Sequence, residues 1–71
     1  MIEVEMTKAP VALYQFLKFE NLVASGGEAK HVIAEGLVKV NGEVETRKGR
    51  KLYDGDVVAF GEAQVRLRVK A

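Results

Sequence analysis

The chain has 71 residues, with 11 lysines and arginines against 10 acids, one histidine and no cysteine. That is the size of one small domain, residues 1–71, and a chain so short buries only about 60% of its unfolded surface, which leaves no room for a deep cleft. The missing cysteines exclude a disulfide framework and a thiolate metal site.

In chain order, Ile2, Val4 and Met6 alternate with Glu3 and Glu5, the period of a strand with one buried face. Those two acids also interrupt any apolar leader, so no secretory signal is expected, and no stretch is long enough to span a bilayer. A cytoplasmic protein is the expectation. Thr7 can cap a following helix, and Pro10 suits a helix's first turn. Leu13, Phe16 and Leu17 make that helix's apolar stripe, with Gln15 and Lys18 facing outward. It should end near Phe19, because continuation would put Glu20 in the stripe.

Leu22 and Val23 then pack between this helix and the next, with Ser25-Gly26-Gly27 as the break. Ser25 or Gly27 serves as the cap, and Glu28 falls in the electropositive first turn. In the second helix Ala29, Val32, Ile33 and Gly36 recur at i, i+3, i+4 and i+7, while Lys30, His31 and Glu35 lie on the other side. Gly36 can take the left-handed backbone that closes a helix. Both helices are too short to stand alone, so they pair as an αα-hairpin packed on something else.

Val38 and Val40 belong to a strand, and Asn41-Gly42 is a strong hairpin signal. Its register stays open. A two-residue turn sets Val40 against Glu43 and Lys39 against Val44; a three-residue loop sets Val40 against Val44 and Lys39 against Glu45. From Thr46 to Lys51 nothing is apolar, which reads as an exposed loop. Tyr53-Asp54-Gly55-Asp56 reads as a turn, Val57 to Phe60 as a buried-type strand and Gly61-Glu62 as a tight connection. In the last strand Val65, Leu67 and Val69 face inward, and Arg66, Arg68 and Lys70 outward. The expected fold is α+β: two short antiparallel helices on a small, mostly antiparallel sheet, in the order β-α-α-β-β-β-β. Its expected core is Leu13, Phe16, Leu17, Ala29, Val32, Ile33, Val38, Val40 and Val57.

Catalysis needs converging groups in a protected pocket, and little here converges. Asp54 and Asp56 read as turn residues beside Gly55, and His31 with Glu35 makes only a weak two-ligand metal pair. No enzyme activity, cofactor or metal site is expected. The charge is near balance but segregated. Glu3, Glu5, Glu20, Glu28, Glu43 and Glu45 carry acid, whereas bases dominate at Arg47, Lys48, Arg50 and Lys51 and again at Arg66, Arg68 and Lys70. The first basic cluster contains Gly49, which lets a phosphate approach the backbone, and Lys30 with His31 adds donors on a nearby element. Lys30, His31, Arg47, Lys48, Arg50 and Lys51 are therefore the candidate RNA-binding residues, gripping backbone and not reading bases. Tyr14 and Tyr53 fit half-buried sites at the core edge better than stacking platforms for bases.

The spacing of Ser25, Ala29, Ile33, Gly36, Val38, Val40, Asn41 and Gly42 resembles the signature of the S4-type RNA-binding domain, and Gly55-Asp56-Val57-Val58 resembles its closing strand. The resemblance covers roughly Leu13 to Phe60. It implies two helices on a small sheet, the αL motif, with RNA bound across the helices and an adjoining loop. The chain departs from the pattern at Gly26, where arginine is usual, and at Ala12-Leu13-Tyr14, where Arg-Leu-Asp is usual. More of the contact then falls to Lys30, His31 and the cluster from Arg47 to Lys51. The sequence is most similar to a small bacterial subfamily with Ser-Gly-Gly-Glu-Ala-Lys at residues 25–30, whose members are inferred to bind RNA. A free-standing, monomeric domain bound to structured RNA, ribosomal or tRNA-like, and with the ribosome itself as a candidate partner, is the resulting expectation. Two rivals come from other classes. A sulfur-carrier β-grasp protein would share Asn41-Gly42-Glu43 and Leu52 to Val58 but needs a terminal Gly-Gly, whereas this sequence ends Val69-Lys70-Ala71. A purely protein-binding module would use Val65 to Val69 as a sheet edge.

Overall fold

The computed structural model describes residues 2–70. Strand β1 (Ile2–Met6) is followed by a two-residue strand β2 (Val11–Ala12), helix α1 (Leu13–Phe19) and helix α2 (Gly26–Ala34). The remaining strands are β3 (Val38–Val40), β4 (Glu43–Val44), β5 (Lys51–Leu52), β6 (Val57–Phe60) and β7 (Ala63–Val69). Five of them form one sheet in the order β1-β7-β6-β3-β4, and β2 pairs with β5 in a separate ribbon. All pairs are antiparallel except β1 with β7. The large sheet thus has the expected α+β order. The β2–β5 ribbon is an addition, because two residues are too few to show a period.

Both helices end for a visible reason. Asn21 has φ 56° and Gly36 φ 77°, the left-handed backbone that turns a chain off a helix axis. After α1, the Leu22 and Asn21 N–H groups donate to the Leu17 and Lys18 carbonyls at 3.0 and 3.1 Å. After α2, those of Leu37 and Gly36 donate to Val32 and Ile33 at 3.1 and 3.0 Å. Both exits are Schellman motifs. The start of α2 is a reciprocal cap, in which Glu28 N–H donates to Ser25 Oγ at 3.1 Å and Ala24 N–H to Glu28 Oε1 at 2.7 Å.

The entry to α1 differs from expectation. Neither Thr7 nor Pro10 opens it: Ala12, which has no side-chain acceptor, stands at the N-cap, and Pro10 precedes β2. The reason is that Val11 and Ala12 pair with Leu52 and Lys51, so the backbone stays extended until Leu13.

The hairpin register is settled as the two-residue turn, with Val40 opposite Glu43 and Lys39 opposite Val44. Asn41 and Gly42 both have positive φ, 54° and 86°, as such a turn demands. Asn41 does more. Its Nδ2 donates to Asp56 Oδ1 at 3.0 Å, while its Oδ1 accepts from Val57 N–H at 2.9 Å. Asp56 Oδ2 in turn accepts from Tyr53 N–H, and Asp54 Oδ1 from Val69 N–H, both at 2.8 Å. These two acids therefore hold the turn between β5 and β6 against the β3–β4 hairpin and β7.

The helices cover one face of the sheet. Leu13, Phe16, Leu17, Ala29, Val32, Ile33, Val38 and Val40 are buried as expected, together with Leu52, Val58, Val65 and Leu67. Val57 is the exception. It pairs with Arg66 on the open face, and Val58 takes the core position instead, because alternation lets only one of two adjacent residues point inward. Ile2 is 64% exposed although Val4 and Met6 pack on the core, since it lies at the end of β1 beyond the helices. Strand β7 is flanked by β1 and β6, which rules out Val65 to Val69 as a free edge. Among the described residues no helix is long and apolar enough to cross a membrane.

Candidate nucleic-acid interface

The first amides of α1 have no partners within the helix and no capping side chain. They find them in the basic segment between β4 and β5. Leu13 N–H donates to the Arg50 carbonyl at 2.9 Å, and Tyr14 N–H to the Lys48 carbonyl at 3.1 Å. Next along the chain, Lys51 pairs with Ala12 across the β2–β5 ribbon. The segment is thus laced by its main chain to the start of α1, with the Lys48 and Lys51 side chains exposed.

Helix α2 contributes from the other side. Lys30 Nζ stands 5.1 Å from the centre of the Tyr14 ring, within cation–π range. Tyr14 is half-buried at the core edge, as expected, and bridges the two helices. The main chain of Lys48 and Arg50 and the Lys30 ammonium thus all contact the first turn of α1. His31 is exposed on α2 beside Lys30, with its ring directed by the next step of the helix. Tyr53 departs from expectation: it is 56% exposed, because the turn that carries it faces solvent.

Arg47 and Arg50 are not free cations. Arg47 Nε and Nη2 donate to the two oxygens of Glu45, each at 3.0 Å, and Arg50 Nε lies 3.6 Å from Glu45 Oε1. The hydrogen bonds from Arg47 hold the Glu45 carboxyl down at about 2, and the same contact pushes the Arg47 guanidinium upward. The sequence marks Glu45 as one of the acids and, in one hairpin register, as a neighbour of Lys39, but not as a partner of the arginines. The Glu45-x-Arg47 spacing was its one signal, and it becomes a pair only when the loop folds back. The Tyr14–Lys30 contact and the backbone lacing were likewise hidden, since both join residues far apart in sequence.

Arginine presents a rigid fork to phosphate oxygens, and lysine a mobile point charge. A surface with both kinds of cation, on α2 and a tethered loop, is chemically able to contact phosphate oxygens. Arg66 and Arg68 are elsewhere. They alternate with the buried Val65 and Leu67, so they lie on the sheet face away from the helices, and Arg66 Nη1 is 3.6 Å from Glu3.

The chain is similar to known proteins. A protein of Bacillus subtilis (strain 168), described as a probable ribosome maturation protein RlbA, is 50% identical over 58 residues, spanning 78% of this chain and 82% of that protein. The putative RNA-binding protein YbcJ of Escherichia coli (strain K12) is 47% identical over 57 residues, 80% of this chain and 81% of its own. The solution structure of YbcJ from E. coli, described as revealing an αL motif involved in RNA-binding, matches with a TM-score of 0.74 and 43% identity over 97% of this chain and 89% of that one. The two helices here form the same αL motif. The family model described as the S4 domain matches residues 4–68, from β1 to β7. The chain belongs to the S4 domain family.

Proposed function

We propose that this chain is a non-catalytic RNA-binding protein that grips the phosphate backbone of structured RNA. Ribosomal RNA or a ribosome-associated RNA is the expected target, bound by a cytoplasmic monomer. The observation that carries this reading is the joint at the start of α1. There the Lys48 and Arg50 carbonyls accept the helix's first amides while Lys30 of α2 covers Tyr14, so cations from α2 and from the β4–β5 loop flank the start of α1. His31, Arg47 and Lys51 extend that surface. The names of two relatives, one of ribosome maturation and one of RNA binding, support the choice of partner.

Binding to ribosomal RNA fragments at graded salt tests it. If about four phosphates are neutralised, the logarithm of affinity falls against the logarithm of salt with a slope of roughly −3 to −4. Replacing Arg47, Lys48, Arg50 and Lys51 together by alanine should flatten that slope. The loop carbonyls that cap α1 remain, but Glu45 loses both its arginine partners, so the melt should fall modestly and binding is compared at a temperature where parent and variant are both folded. Replacing Arg66, Arg68 and Lys70, on or beside the far face of the sheet, should matter much less. An unchanged slope in the loop variant would remove the interface from this loop.

A further inference from the structure

The basic loop contains one acid-centred assembly that its charge count does not explain. Glu45 is anchored at the end of the β3–β4 hairpin, where its N–H donates to the Val38 carbonyl at 3.0 Å. Its side chain is only 12% exposed, whereas that of Arg47 is 75% exposed. The carboxylate takes one long edge of the guanidinium, Nε to Oε2 and Nη2 to Oε1, and also accepts the Arg47 backbone N–H at 3.0 Å. Arg50 closes on Oε1 from the other side. A guanidinium has five N–H donors, and this grip uses two of them. The end of the fork, formed by both terminal nitrogens, is left facing outward on a head that can no longer wander.

We propose that Glu45 is a positioning residue of the RNA interface, which fixes Arg47 and Arg50 so that their remaining donors meet the two oxygens of one RNA phosphate. This inference rests on the proposed function above. A free arginine must freeze several rotatable bonds when it binds, and an arginine already held by a buried-side carboxylate loses less. The Arg47 hydrogen bonds hold the carboxyl well below the usual range, so it is ionised at neutral pH and available to both arginines. The pair is also asymmetric: Glu45 is anchored at the hairpin end and mostly covered, and Arg47 is the partner turned to solvent.

Charge count and positioning make opposite predictions, which gives the test its force. Glu45→Gln removes a negative charge beside a cationic surface, so charge alone would tighten RNA binding. Positioning predicts weaker binding, by roughly eightfold at 0.1 M salt, with the slope of affinity against salt shallower by about 0.9, the loss of one phosphate contact. Arg47→Lys keeps the charge but cannot bridge both carboxylate oxygens while offering a fork to phosphate, so it should weaken binding by a similar factor. In a background with both Arg47→Ala and Arg50→Ala, Glu45→Gln should produce no further loss. Melts of each variant fix a binding temperature at which all are folded, and Arg47→Lys decides the matter if Glu45→Gln lowers the melt. Equal or tighter binding by Glu45→Gln, with the fourfold alanine variant still weakened, would overturn the positioning role and leave the interface standing. If the fourfold variant itself binds like the parent, the interface reading falls first.

Discussion

Glu45 is the residue at which fold chemistry and surface chemistry meet. Its carboxyl is held at about 2, against an ordinary 4.5, mainly by the side-chain hydrogen bonds from Arg47. A depressed acid stabilises the folded state above its unfolded value, and that contribution disappears as pH falls through the folded value. The window for Glu45 therefore runs from about 4.5 down to about 2. Carboxyl carbon-13 shifts followed downward from pH 6 should show Glu45 still ionised after ordinary glutamates have protonated, and Arg47→Ala should move its transition up towards the ordinary range. A midpoint already ordinary in the parent would mean that the pair does not form in solution. At this scale the sequence was legible where a residue acts through its own chemistry, as with the cations of the loop. It was silent where a residue acts through a neighbour that only folding supplies, as with Glu45 or Tyr14.

The elements show the same division. Ser25 as a cap, Gly36 as a stop and the stripe from Ala29 to Ile33 are local devices, and each was readable from spacing. The turn register was not readable, because both turn lengths leave plausible cross-strand neighbours. What decides it is Asn41, whose side chain spans to Asp56 and Val57 only in the tighter turn observed. Gly42 has φ 86° with open space around its missing side chain, so Gly42→Val would fail for backbone reasons and not for crowding. It should cost at least 1–2 kcal/mol, roughly, in chemical denaturation. Ile33, fully buried between helix and sheet, should cost about 2–5 kcal/mol as Ile33→Ala. The two losses should add, since one site strains a turn and the other empties a core position. Parent-like stability in Gly42→Val would mean that the turn relaxes to another form.

Over the whole molecule, the helices and the basic loop occupy one side and the Arg66–Arg68 row the other, separated by the sheet. Which strands form the large sheet was legible, but neither their order nor the β2–β5 ribbon was. Alternation marks a strand and its buried face, and says nothing about which strand lies beside it. The parallel pairing of β1 with β7 is the clearest case, for it joins Ile2 to Val65 and Met6 to Val69. It also shields β7 and leaves β1 at the margin, where Glu3 and Glu5 discourage edge-to-edge addition of a second copy. That pairing has a kinetic consequence. Helices α1 and α2 and the β3–β4 hairpin close over short stretches of chain, whereas β1 must wait until almost the entire polypeptide is in place. The last strand to dock should be the first to leave. In a chevron experiment Val4→Ala in β1 should chiefly raise the unfolding rate, while Ile33→Ala should also slow refolding. The protein would then unzip from its margin with the helical joint and its cations still assembled.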